Sequence, residues 1–115
     1  MARWQLIGFI QPADGAKLED FRAWYLENHV EDTVNCPGFV SARVYECARP
    51  FRGTSPPGWM TIYEVEADDL EQAEVVLSRY QRDSNAYAKR LPRNGSLQIL
   101  SAGWYRLDRS FDPSR

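Results

Sequence analysis

Histidine is nearly absent from this chain: among 115 residues there is one, His29. Cysteine is scarce as well, with only Cys36 and Cys47. One imidazole and two thiols without CxxC spacing fall short of a structural zinc site, so no bound metal is expected. Two cysteines make no disulfide framework at this size, and both are expected as reduced thiols, Cys36 in a turn and Cys47 in a strand. Positive charge is not in excess: 14 basic against 16 acidic residues leave a formal charge of −2. Little is available to neutralise a phosphate backbone, which argues against nucleic acid as a partner. Long apolar runs are missing too. The longest near the start, Leu6 to Ile10, is far too short to span a bilayer. No charged segment followed by a signal-type core opens the chain. A cytoplasmic location with no membrane partner is the expectation.

What is present is a core. The chain is 43% hydrophobic and 13% aromatic, too apolar for disorder and of a length for one domain over residues 1–115. Arg3 to Gln11 alternates in bulky apolar residues and reads as a first strand. Pro12-Ala13-Asp14-Gly15 breaks it. A helix is expected from Lys17 to Asn35, capped by Asp14, with Glu19 and Asp20 near its positive end. Pro37-Gly38 stops it. Phe39 to Ala48 reads as strand two and Trp59 to Glu66 as strand three, separated by the irregular Pro50 to Gly58 loop. Asp68 or Asp69 caps a second helix running to Leu91, and Leu97 to Leu107 is strand four. The core covers about residues 3–107, and residues 108–115 form a polar tail.

The order β-α-β-β-α-β predicts an α+β, ferredoxin-like domain, a four-stranded antiparallel sheet with two helices on one face. Strict alternation assigns Val40, Ala42, Val44, Met60, Ile62 and Glu64 to the helix side. It assigns Phe39, Arg43, Tyr45, Trp59, Tyr63 and Trp104 to the open face, with a bulge in strand four able to exchange its two sides. Such an aromatic face needs cover, and a homodimer through the sheet faces supplies it.

On the first helix, a 100° step gathers Leu18, Phe21, Tyr25, Asn28, His29 and Asp32 in one stripe, bordered by Trp24. The stripe is apolar first and polar second. Tyr25 and His29 are neighbours at i,i+4, His29 and Asp32 at i,i+3. His29 is the one side chain whose ordinary pKa lies near neutrality. Asp32 could orient it for acid/base work; the same geometry also suits a histidine held for packing.

Phe21-x-x-Trp24-Tyr25-x-x-x-His29-x-x-Asp32, with Pro37-Gly38-Phe39-x-Ser41-Ala42-Arg43-x-Tyr45 and Trp59-x-x-Ile62-Tyr63-Glu64-Val65, resembles small bacterial proteins of the dimeric α+β barrel superfamily, on its EthD-like side. That group also includes cofactor-independent monooxygenases, polyketide cyclases and muconolactone isomerases. The resemblance implies a homodimer whose sheets share a barrel, with a ligand pocket between sheet and helices in each subunit. It matches His29 to a histidine near the end of helix one. The late proximal histidine of the haem-binding members has no counterpart.

The expected function is a cofactor-independent enzyme moving protons on a hydrophobic, aromatic or polyketide-like small molecule, of lyase, isomerase, cyclase or decarboxylase type. His29 serves as acid or base, Asp32 orients it, and Tyr25 stands beside it. Arg43, Tyr45, Tyr63 and Asn28 bind substrate, and Trp24, Phe39, Trp59 and Trp104 form an apolar wall. A cofactor-free monooxygenase and a ligand-binding or structural dimer without turnover are the alternatives.

Overall fold

A computed structural model of the chain describes residues 2–82 and 97–115. Four strands, β1 (Ala2–Pro12), β2 (Phe39–Glu46), β3 (Trp59–Ala67) and β4 (Leu97–Tyr105), form one antiparallel sheet in the order β2-β3-β1-β4. Between β1 and β2 runs a helix in three pieces: α1 (Leu18–Trp24), a π-helical turn (Tyr25–Val30) and α2 (Glu31–Thr33). α3 (Leu70–Arg82) follows β3. This is the α+β, ferredoxin-like arrangement the element order predicts. The expected continuation of α3 to Leu91 and its stop at Pro92 lie outside the described residues.

Local chemistry sets the ends of these elements. Asp69 caps α3, its Oδ1 accepting from Gln72 N at 2.7 Å. Asp14 does not cap the first helix; Lys17 stands at that position without a side-chain bond, and the acidic first turn of Glu19 and Asp20 supplies the favourable charge instead. Gly38 turns the chain into β2 at φ +89°, and a Cβ there would stand 2.9 Å from Glu66 O. That close approach lets Glu66 N donate to Gly38 O at 2.8 Å, tying the turn to the end of β3. Cys47 N donates to Gly58 O at 2.8 Å and closes the base of the 48–57 loop.

The sheet faces differ from the alternation read in the sequence. In β3 the buried set is Trp59, Thr61, Tyr63, Val65 and Ala67, which pack under the helices; Met60, Ile62, Glu64 and Glu66 point the other way. Both sets of β3 carry apolar residues, so hydrophobicity alone does not choose the phase. Pairing does: Trp59, Thr61 and Tyr63 lie opposite Ile10, Gly8 and Leu6 of β1, and paired residues share a face. A register shift between Phe39 and Ser41 puts Phe39 on the helix side with Ala42 and Val44, and leaves Val40 half exposed. A bulge in β4 faces Phe9/Ile10. It brings Leu97, Ile99, Ala102 and Trp104 to one side, the side of the helices.

Phe39, Trp59, Tyr63 and Trp104 therefore do not sit on the open face. Of the aromatics expected there, Tyr45 remains. The outer face carries Ile7, Phe9, Tyr45, Met60 and Ile62, with Arg43 beside them. At one end Arg3 pairs with Glu66, and Gln5 donates to Glu64 Oε2 at 3.0 Å. Glu64 is thus an outer-face residue. Residues 106–115 have no regular structure and are exposed. Among the described residues no helix is long and apolar enough to cross a membrane.

Candidate active site

The π-helical turn shapes the site. Five residues along an α-helix are about 140° apart around the axis, and their side chains do not meet. A π turn closes its hydrogen bonds one residue later and brings i and i+5 together. Here the His29 ring stacks on Trp24, five residues back, at 5.2 Å and 15°, and on Tyr25, four residues back, at 5.4 Å and 27°. Asn28 holds the widened turn: its amide donates to Ala23 O at 3.0 Å, again five residues back. Thr33 Oγ1 donates to His29 O at 2.7 Å on the other side. The imidazole is fixed between two aromatic rings on a helix pinned at both ends of the turn.

In front of it, between helix and sheet, lies a cavity of about 130 Å³. The helix contributes Tyr25, His29 and Thr33; β1 contributes Leu6, Gly8 and Ile10; β3 contributes Tyr63. Leu77 and Gln81 of α3 and Leu97, Ile99 and Ala102 of β4 complete the described lining. Space exists because two small residues face each other across the sheet. Gly8 pairs with Ala102, and nothing lies within 4 Å of where a Gly8 Cβ would stand.

The hydroxyls of Tyr25, Thr33 and Tyr63 lie at the wall, and that of Thr61 is buried behind it. Tyr25 Oη and Thr61 Oγ1 share a hydrogen bond of 2.6 Å, and Thr61 is fully buried. Burial pushes the Tyr25 phenol above its ordinary pKa, and the bond to Thr61 opposes this. Tyr63 is 6% exposed. Its hydroxyl lies near Tyr25 and Thr33, yet among the described residues it has no hydrogen-bond partner of proper geometry. Burial first, and Tyr25 second, push its pKa far above the usual phenol range. Tyr63 is a phenol that keeps its proton. The Phe39 ring packs edge-on against it at 5.5 Å.

The structure brings together His29, Tyr25 and Tyr63, with Trp24 and Phe39 as their backing. Asp32 meets α3: the Tyr80 hydroxyl donates to Asp32 O at 3.0 Å and to Oδ1 at 3.3 Å. Trp59 packs near the start of the helix, 5.3 Å from Phe21, with the Arg22 guanidinium over its ring at 5.2 Å. Trp104 sits beside Leu6, outside the described cavity lining. Arg43 and Tyr45 lie on the outer face, where alternation assigned them, but on the opposite side of their own sheet from His29, so they do not join it in one substrate-binding set. Sequence reasoning missed Thr33 and the Gly8–Ala102 pair. Thr33 was legible, four residues beyond His29; the small pair emerges only from strand register.

No family model matches the chain, and no curated protein sequence does. Solved structures do match. One is described as a "putative monooxygenase" from Shewanella loihica PV-4, with TM-score 0.60 and 16% identity over 95% of this chain and 97% of that one. Another is an ethyl tert-butyl ether D (EthD) family protein from Bacillus halodurans C-125. There the TM-score is 0.53 and the identity 19%, over 90% of this chain and 97% of that one. The fold is shared with both. At these identities the likeness speaks of the fold, and it agrees with the EthD-like resemblance read from residues 21–65.

Proposed function

We propose that this protein is a cofactor-independent enzyme that moves a proton on a small hydrophobic molecule held between helix and sheet, with His29 as the acid/base. The observation that carries this reading is the meeting of His29, Tyr25 and Tyr63 at one cavity of about 130 Å³. An imidazole held by two stacked rings is ready to take or give a proton in one direction. The chemistry is of lyase, isomerase, cyclase or decarboxylase type. The test is α-proton exchange of small ketones in D2O, followed by NMR. Replacing His29 with Gln should slow exchange at least about 10²-fold in a protein that stays folded. Exchange at an unchanged rate overturns the role.

A second reading rests on the Shewanella protein's description as a monooxygenase. His29 would then deprotonate a methylene or phenol, and the resulting anion would react with O2, one oxygen entering the product and the other leaving as water. Oxygen uptake with label from ¹⁸O2 in the product separates this from exchange alone.

The enzyme acts as a homodimer joined through the outer sheet faces. The support is the apolar set Ile7, Phe9, Tyr45, Met60 and Ile62 on that face, with Tyr45 46% exposed in the single chain.

A further inference from the structure

Hydrogen-bond bookkeeping at the cavity narrows what can occupy it. The Thr33 proton goes to His29 O. Tyr25 and Thr61 share one hydrogen bond, which uses one of their two protons. The Tyr63 hydroxyl is buried and has no hydrogen-bond partner among the described residues. A donor left unmade in this way is unfavourable, and an incoming acceptor oxygen removes the cost. Among the described lining residues there is no Arg, Lys, Asp or Glu. The described lining therefore offers no permanently charged side chain to a carboxylate or phosphate. Burying such an ion there without a partner is strongly disfavoured. Size is the third limit. An enclosed apolar cavity of about 150 Å³ accepts benzene; this one, about 130 Å³ and open to solvent on one side, seats one ring within its walls.

From these three limits we infer that the ligand is a compact, uncharged, single-ring molecule bearing a carbonyl oxygen, which accepts its hydrogen bond from Tyr63 Oη. The inference rests on the reading of this cavity as the active site, and it makes Tyr63 the residue that selects the substrate. The chemistry follows. His29 takes the proton from the carbon next to the carbonyl. The electron pair of that C–H bond moves onto the carbonyl oxygen, and the Tyr63 O–H donates to the enolate so formed. Return of the proton to the same carbon gives exchange; where a double bond is conjugated with the enolate, return to its far end completes an isomerisation with atoms and charge balanced.

Binding of four probes to the full chain, by ligand-observed NMR and calorimetry, tests this without turnover. They are acetophenone, ethylbenzene of the same shape without oxygen, benzoate with full charge, and 1-acetonaphthone with a second ring. Acetophenone should bind about tenfold tighter than ethylbenzene, the worth of one well-made hydrogen bond. Benzoate and 1-acetonaphthone should bind more weakly than acetophenone. Tyr63→Phe should abolish the tenfold preference while leaving ethylbenzene binding as it was, and Gly8→Val should weaken both. Equal binding of acetophenone and ethylbenzene overturns the inference. So does tightest binding by benzoate or 1-acetonaphthone, a preference that survives Tyr63→Phe, or no binding by any probe. The His29→Gln protein keeps the two claims apart: it should retain the carbonyl preference while losing proton exchange. Exchange that survives His29→Gln removes the catalytic reading and leaves the preference standing; a lost preference with intact His29-dependent exchange does the reverse.

Discussion

The His29 imidazole lies flat on the Trp24 indole, five residues earlier in the same helix, at 5.2 Å and 15°. This pairing exists because the turn between them is π-helical. The indole therefore acts as a rear wall that stops the imidazole from swinging away from the cavity. Replacing Trp24 with Leu, which leaves bulk but no ring, should lower His29-dependent exchange about tenfold through lost orientation. Trp24→Phe, which restores a ring, should recover most of it. Rates of the two variants side by side make the check.

Gly8 offers a cleaner lever. It has free space where a side chain would go and sits in a strand interior, where glycine costs roughly 0.5–1 kcal/mol. Gly8→Val should raise the urea midpoint slightly and weaken ligand binding together. A variant both more stable and inactive would mark the cavity as functional space rather than a packing fault. Retained activity would place the chemistry elsewhere.

The two tyrosines should part company in stability. Tyr25→Phe strands the fully buried Thr61 hydroxyl and should cost about 1–3 kcal/mol. Tyr63→Phe removes an oxygen with no described partner and should be neutral or stabilising in the ligand-free protein. Urea unfolding of both, without ligand, decides.

Burial separates the thiols. Cys36 is 2% exposed, and Cys47 is exposed. Desolvation pushes the Cys36 thiol from 9.0 up to about 11. Between those values the folded chain keeps a proton that the unfolded chain has lost. The contribution is complete below pH 9 and is lost as pH rises through about 11. One equivalent of a thiol reagent should therefore react in native protein at pH 8 and two after denaturation, and stability should decline above pH 9.

If the outer sheet face joins two copies, a charge in its centre should separate them. Ile62→Arg, on that face beside Arg43, should convert a dimer to a monomer in sedimentation equilibrium. A wild-type protein that sediments as a monomer at micromolar concentration would remove the dimer from the proposal.

The element order, the antiparallel sheet and the cap at Asp69 were legible because they rest on local chemistry: period-two strands, breakers and an acidic cap. So was the pairing of Tyr25 with His29, since residues four apart meet in either kind of helix. The faces of β3 were not, because Trp59-Met60-Thr61-Ile62-Tyr63 is apolar on both sides and only its register against β1 chooses. One bulge after Phe39 reversed the assignment of a single ring. The stack of His29 on Trp24 was hidden for a related reason. A 100° step assumes every turn is α-helical, and no residue type in this stretch announces that one is wider.

That wider turn has an evolutionary consequence. It behaves as a one-residue insertion absorbed within Tyr25–Val30, leaving the α-helical turns on either side intact. Removing one residue from it would return the segment to ordinary pitch and bring a different side chain round to the cavity. In this chain the group that faces the cavity could thus be exchanged by a change in length, without any substitution at the site.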